Sequence, residues 1–437
     1  MARTAKRVYI RAPREALISG VLGAVTWLGA ERRHPGPKGP RDLLRAAMGL
    51  RPDAAGAGKG TMTSRQRLLA LLRGEPVDRC GVCAYGFDGF NCPHLSNQPG
   101  CAELVKLIDA ETEVMLGWAP RTEGNIYLSA SPDVSESEDR RVEEDHTVIR
   151  TTIHTPRGDL HSLCVRHEGV ETTWKVEHLL KTEEDVERFL SMPYVRPRVD
   201  GDDFAEAVAR IGERGLVMLG IADPICHVAD LFEFGEFTVR AWREPAIIRR
   251  LLDAMAPRVY DWLDGVLALG VRGAVVRLCG PEYASEPYLS PALFRELVTE
   301  YDLPIARKIH DAGCYLRLHS HGRLANILDA ILELEPDILE PVEGPPSGDI
   351  TMAELARRVG RQCVLMGNLE PRDLEQVSEE KAEHLVREIM ESAAGQAPLI
   401  VAPTDGPISF PLSPIYARNL RRWIETALKW GGSYDWS

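Results

Sequence analysis

From Arg79 to the C-terminal region the chain repeats one pattern, a short apolar run followed by an amphipathic stretch. This alternation limits the possible folds more than any other feature. The runs are RCGVCAYG (79–86), GLVMLGIAD (215–223), VRGAVVRLCG (271–280), CYLRLHSHG (314–322), DILEPVE (337–343), QCVLMGNLE (362–370) and PLIVAPTDG (398–406). Between and after them, helical periodicity covers 228–241, 245–270, Pro291–Gly313, 322–334, 350–359, 378–394 and 414–430. Apolar strands alternating with amphipathic helices imply a parallel sheet covered on its outside. Nearly eight strand–helix units suit a closed (β/α)8 barrel built as a single domain over 62–437. A doubly wound open sheet is the alternative, but no Gly-rich dinucleotide fingerprint follows any of these strands. Residues 90–200 interrupt the pattern with a hairpin, TVIRTTIHT and LHSLCVRH joined by Pro156-Arg157-Gly158-Asp159, whose Pro and Gly supply the turn.

Residues 1–61 read differently. Lys6, Arg7, Arg11 and Arg14 precede an apolar stretch from Ala16 to Ala30, followed by a Pro/Gly/Arg/Ala-rich run. That stretch is shorter than the roughly 20 residues a membrane span needs. A basic start before a short apolar region also fits a signal peptide. Met62, however, opens MTSRQRLLALLRGEPVDR, where Thr63 or Ser64 caps a leucine-faced helix and Gly74 with Pro76 ends it. Residues 1–61 are therefore expected to be a poorly ordered extension.

Composition narrows the function. A formal net charge of −13 over 437 residues argues against nucleic-acid or acidic-membrane binding, which rewards concentrated Lys and Arg. Nine scattered cysteines form no even framework, which points to a reducing cytoplasm. Cys80 and Cys83 make a CxxC, but within an apolar strand their side chains point to opposite faces, so they read as core rather than as a zinc site.

In a barrel the reactive residues belong at the C-terminal ends of the strands. Those ends carry Asp88, Asp223 with His227, Glu282, His319 with His321, Glu343, Asn368 and Asp405. The sharpest signal is LHSHG, because residues two apart on a strand face one side. His319 and His321 thus suit a divalent metal such as zinc. Glu343 is the first candidate for an oxygen ligand, with Asp405 next, and Asp223, Glu282 and Asn368 are the candidate catalytic residues. Each has a plainer reading: Asp223 before Pro224 is equally a helix cap, and Glu282 after Gly280-Pro281 is equally a solvated turn acid. The tryptophans Trp242, Trp262 and Trp423 fall at helical positions and read as core.

Several segments resemble the uroporphyrinogen decarboxylase superfamily: SRQRLLALLRGEPVDR (64–79), YLSPALFRELVTEYDLPIARKIHDAGCYLRLHSHG (288–322), VLMGNLEP (364–371) and PLSPIYARNLRRWIETALKW (411–430). The resemblance implies a (β/α)8 barrel with its cleft at the strand ends. It implies either metal-free decarboxylation of a tetrapyrrole or zinc-dependent methyl transfer with a corrinoid protein. The decarboxylases carry an arginine-rich segment after the first strand, whereas this chain reads AYGFDGFNCPHL (84–95) with no arginine. The methyltransferases carry His-x-Cys-Gly where this chain has His319-Ser320-His321-Gly322, and a second cysteine where it has Thr404-Asp405. His319 matches that pattern, His321 replaces a thiolate, and the site is correspondingly harder. The expectation is therefore a metal-dependent methyltransferase or demethylase acting on a small molecule, with zinc and a corrinoid partner. A decarboxylase of tetrapyrrole synthesis and a non-catalytic metal- or tetrapyrrole-binding barrel are the alternatives.

Overall fold

A computed structural model describes residues 9–10, 61–98, 100–168, 173–201, 203–406 and 411–436. Nearly all of the expected extension over 1–61 lies outside the described residues. The exceptions are Thr61 and β1 (Tyr9–Ile10), which pairs antiparallel with β4.

The helix Ser64–Arg73 begins as its sequence dictates. Thr63 accepts from the Gln66 N–H while the Gln66 side chain bonds back to the Thr63 N–H, and Gly74 ends the helix in the left-handed region. Then come β2 (Gly81–Val82), β3 (Val114–Trp118), β4 (Arg121–Glu123), β5 (Ser135–Glu143), β6 (His146–Thr155), β7 (Gly158–His167), β8 (Thr173–Glu177) and β9 (Arg198–Asp200). The expected hairpin is β6–β7, and two strands the sequence reading did not foresee, β5 and β8, flank it in a four-stranded antiparallel sheet. After these follow β10 (Gly215–Ala222), β11 (Val275–Cys279), β12 (Tyr315–His319), β13 (Ile338–Glu340), β14 (Val364–Leu369) and β15 (Leu399–Pro403).

Eight strands make one parallel sheet in the order β2-β15-β14-β13-β12-β11-β10-β3. The sheet is curled and barrel-like, and its two edge strands approach each other. The Glu113 N–H donates to the Val82 carbonyl (2.8 Å), and the Val82 N–H donates to Glu113 Oε2 (2.5 Å). Arg67 and Arg79 both bind the buried Glu113 carboxylate, fixing that seam to the first helix. Helices alternate with the later strands, as expected, but several bounds differ, and Pro371–Gln376 is an additional helix. The span 228–241 divides into Pro224–Ala229 and Phe234–Arg243, and 322–334 contracts to Leu328–Leu332.

Alternate residues sort the strands into two cores. Cys83, Met115, Leu216, Val275, Ile338, Val364, Met366, Ile400 and Ala402 fill the interior, with Leu68 and Leu71 of the first helix packed against them. Val276, Leu278, Leu316, Leu318, Leu339 and Val401 pack outward with the helices, and Cys80 lies with them. Cys80 and Cys83 therefore sit on opposite sides, each as a buried thiol whose pKa burial raises, to about 12 and about 11. Trp423 is buried, but Trp242 is 52% exposed and donates its indole N–H to the Tyr288 carbonyl. Among the described residues no helix is long and apolar enough to cross a membrane.

Candidate active site

The inward positions of three adjacent strands build the site. On β12, period two that turns Leu316 and Leu318 outward turns Tyr315, Arg317 and His319 inward. Register then sets Arg277 of β11 beside Arg317, Cys279 beside His319, and Glu340 of β13 on the other side of His319. The loop after β12 carries His321, whose ring lies edge-on to His319 at a centroid distance of 4.6 Å. Gly322 makes the turn at φ +85, where a Cβ would come within 2.8 Å of Ser285 Oγ.

Glu340 is fully buried and organises this layer. It accepts from Arg277 Nε (2.6 Å) on Oε1 and from Arg317 Nη2 (2.5 Å) on Oε2. Burial opposes its charge, yet the two guanidinium groups hold its pKa well below the usual carboxylate range. His319 Nδ1 lies 3.1 Å from Glu340 Oε1 and 3.0 Å from Arg277 Nη2. Only one of these contacts is a hydrogen bond in a given tautomer. With the proton on Nδ1, Glu340 accepts it and Nε2 is left with a lone pair; with the proton on Nε2, Arg277 donates to Nδ1. Burial, then Arg277, takes the His319 pKa down to about 3, so the ring is neutral at pH 7.

His321 repeats the arrangement one step toward solvent. Its Nδ1 lies 2.9 Å from Glu343 Oε1, while Glu343 Oε2 accepts from the Gly322 N–H (2.7 Å). Burial works against charge on His321, but its bond to Glu343 prevails and raises its pKa, while that bond lowers the pKa of Glu343. Both histidines thus have Nδ1 against a carboxylate, the arrangement that orients metal-ligating imidazoles and leaves Nε2 for the ion. Glu282 Oε1 stands 4.0 Å from His319 Nε2, and burial raises the Glu282 pKa. Asp405, half-buried, accepts from the Gly406 N–H (2.7 Å), and burial raises its pKa. No three of His319, His321, Glu343 and Asp405 have donor atoms all within 4.8 Å of one another. Among the described residues only Asp145, His146 and His167, on the antiparallel sheet, meet that spacing.

The remaining candidates divide. Asn368 lies at the end of β14 and donates to the Val342 carbonyl (3.0 Å), bracing the loop before Glu343. Asp223 is fully buried and caps Pro224–Ala229 by accepting from the Cys226 N–H (2.7 Å). Its Oδ2 and both oxygens of buried Asp302 find no donor. The two carboxyls interact with each other, and burial raises the pKa of both. Gly280 is required above this pair, because at φ +141 a Cβ would fall 1.8 Å from Asp223 Oδ1.

Sequence reasoning missed Tyr85, Arg277, Arg317, Glu340 and Cys279. Tyr85 adopts φ +52, and its hydroxyl accepts from Arg277 Nη2 (2.5 Å) while both guanidinium carbons lie 5.4 Å from its ring centroid. The signal was present in period two: the parity that selects His319 and His321 also selects Arg317. Cys279 carries a thiol whose pKa burial pushes up to about 12.

Residues 202–417 match the family model described as uroporphyrinogen decarboxylase (URO-D). Among solved structures, a methyltransferase from Methanosarcina mazei aligns with a TM-score of 0.51 at 15% identity, covering 84% of this chain and 99% of that one. That likeness shows a shared fold. A probable ornithine cyclodeaminase from Bordetella pertussis Tohama I, at 7% identity and a TM-score of 0.14 over 70% of this chain and 89% of that one, carries no argument. No curated protein matches the chain.

Proposed function

We propose that this chain, with its uroporphyrinogen decarboxylase family segment, is a metal-dependent enzyme of methyl transfer or demethylation on a closed (β/α)8 barrel. One observation carries the reading: His319 and His321 adjoin at the end of β12, each with Nδ1 beside a carboxylate. Imidazole nitrogens with carboxylate oxygens suit zinc or a similar divalent ion. His319 and His321 would hold it, with Glu343, Asp405 or Glu282 supplying oxygen and Cys279 a thiol from the neighbouring strand. The likeness to a solved methyltransferase supports methyl transfer, and a corrinoid protein is the proposed partner. A bound divalent metal would supply Lewis acidity toward a substrate heteroatom. The chain's own part is to fix the imidazoles through Glu340 and Glu343 and to brace the rim through Asn368. Burial keeps Glu282 disposed to hold a proton beside His319.

Metal analysis tests the reading. The gently purified protein should carry about one divalent ion per chain, and His319→Ala or His321→Ala should remove most of it with the fold intact. Glu343→Gln should weaken binding less, since an amide oxygen still coordinates. A wild-type protein that carries no metal and binds none in titration would sink the proposal. A second reading, decarboxylation of an acid, is favoured by the buried Arg277 and Arg317, and turnover of a carboxylic acid by metal-free protein would promote it.

A further inference from the structure

We propose that the cavity one layer below His319 is a cradle for the carboxylate of a small organic acid, which makes the substrate of this site a carboxylic acid. This assigns a substrate class to the site above and depends on that reading only for its catalytic meaning. The cavity measures about 50 Å³ and is lined by Cys83, Tyr85, Met115, Met218, Arg277 and Arg317, with Arg210 also on its wall.

The hydrogen bonding of the two cations is incomplete. Arg277 and Arg317 are 8% and 3% exposed, and they share the single carboxylate of Glu340. The neighbouring acids are otherwise engaged. Asp88 accepts from the Phe90 and Asn91 N–H groups and the Asn91 side chain, and Asp405 accepts from Gly406. Arg317 is the under-served partner. Its Nη1 faces only the thioether sulfurs of Met115 and Met218, at 3.1 and 3.2 Å, and its Nε has no acceptor at all. Thioethers are weak acceptors, and a buried guanidinium offers five donors. A group left this way is costly unless something else satisfies it, and a carboxylate is the planar acceptor that guanidinium matches best.

The cavity has room for such a group: its volume of about 50 Å³ exceeds the roughly 10–15 Å³ that one water needs on the same measure. Arg277 links the cavity to the histidines, since its Nη2 lies 3.0 Å from His319 Nδ1, so a molecule anchored there by its acid would lie next to them.

Benzoate and its neutral counterpart benzamide test the cradle, titrated calorimetrically into the full-length chain after dialysis against EDTA. Benzoate should bind saturably and benzamide should not. Arg317→Met, close in volume and uncharged, should weaken benzoate at least tenfold. Glu340→Gln removes the competing carboxylate and should strengthen benzoate several-fold, a change of opposite sign that general damage does not produce. Equal binding of benzamide, or benzoate affinity unchanged in a folded Arg317→Met protein, would overturn the proposal. Should Arg317→Met fail to fold, Glu340→Gln decides: benzoate bound no better than by wild type refutes the cradle. Because the titration uses metal-free protein, benzoate binding stands or falls separately from metal stoichiometry.

Discussion

Replacing Glu340 by Gln removes one buried negative charge and strands two buried positive ones, so its cost is calculable from the geometry. Glu340 is fully buried, its guanidinium partners are less than one-tenth exposed, and both bonds to it are short, at 2.6 and 2.5 Å. Removing one member of such a pair costs about 3–5 kcal/mol, because the partner charge remains desolvated. The amide oxygen of Gln still accepts one hydrogen bond from a cation, and this recovers part of the loss. The expected destabilisation is therefore about 2–4 kcal/mol. Equilibrium urea unfolding of EDTA-treated protein at neutral pH should show a lower midpoint with the slope unchanged. Pairing the change with Arg317→Met should cost less than the sum of the two single changes, since the double variant no longer strands Arg317. A loss below about 0.5 kcal/mol, the range of ordinary surface changes, would refute the claim that Glu340 neutralises this layer. Benzoate should raise the melting temperature of Glu340→Gln more than that of wild type, because the ligand restores the missing charge.

The buried Asp223–Asp302 pair should make stability depend on pH. Burial, with the charge of Glu282 adding to it, raises both pKa values, and Asp302 raises that of Asp223 further, so the folded chain keeps a proton that the unfolded chain releases above its ordinary value near 4. Stability should fall as pH rises from there toward the raised folded value. Asp302→Asn should therefore melt above wild type at pH 8, with the gap closing toward pH 4, and parallel profiles would show that no such proton is kept. Among the described residues, a chain beginning at Met62 loses only the two-residue pairing of β1 with β4. It should stay soluble and melt within a few degrees of the full chain in calorimetry. Uroporphyrinogen should not be decarboxylated at enzymatic rates, because residues 84–95 supply no arginine to pair with its several carboxylates; coproporphyrinogen formed by purified protein would contradict this.

The fold was legible because burial on both faces leaves a plain trace. Runs such as LIVAP and VLMGNL have no polar alternation, and the helices between them do. The antiparallel sheet was half legible. Strands β6 and β7 carry a turn signal between them, whereas β5 is exposed along its whole length and reads as a charged loop. The split near Ala229 was hidden because Asp223-Pro224 starts a helix too short to show a period. Trp242 misled for a related reason: helical position predicts a face only when the neighbouring turns confirm it, and here the indole covers the Tyr288 carbonyl at the surface.

The site was legible where chemistry is local and hidden where it is shared between strands. HSHG announces itself within four residues, and Gly322 makes the sharp turn after it. Arg277 and Arg317 sit singly in apolar runs, where an arginine is easily passed over, and their meaning appears only when register places them side by side around Glu340. Parity alone goes part of the way, since a strand that turns His319 inward must turn Arg317 inward too. The departure at AYGFDGFNCPHL, which lacks arginine after the first strand, therefore does not empty the cleft of cations. Two guanidinium groups enter it from the middle of the barrel wall instead. A carboxylate responds to the charges around the cavity, not to the stretch of chain that supplies them. The same argument that weighs against a many-carboxylate tetrapyrrole thus favours a small acid held by one carboxylate.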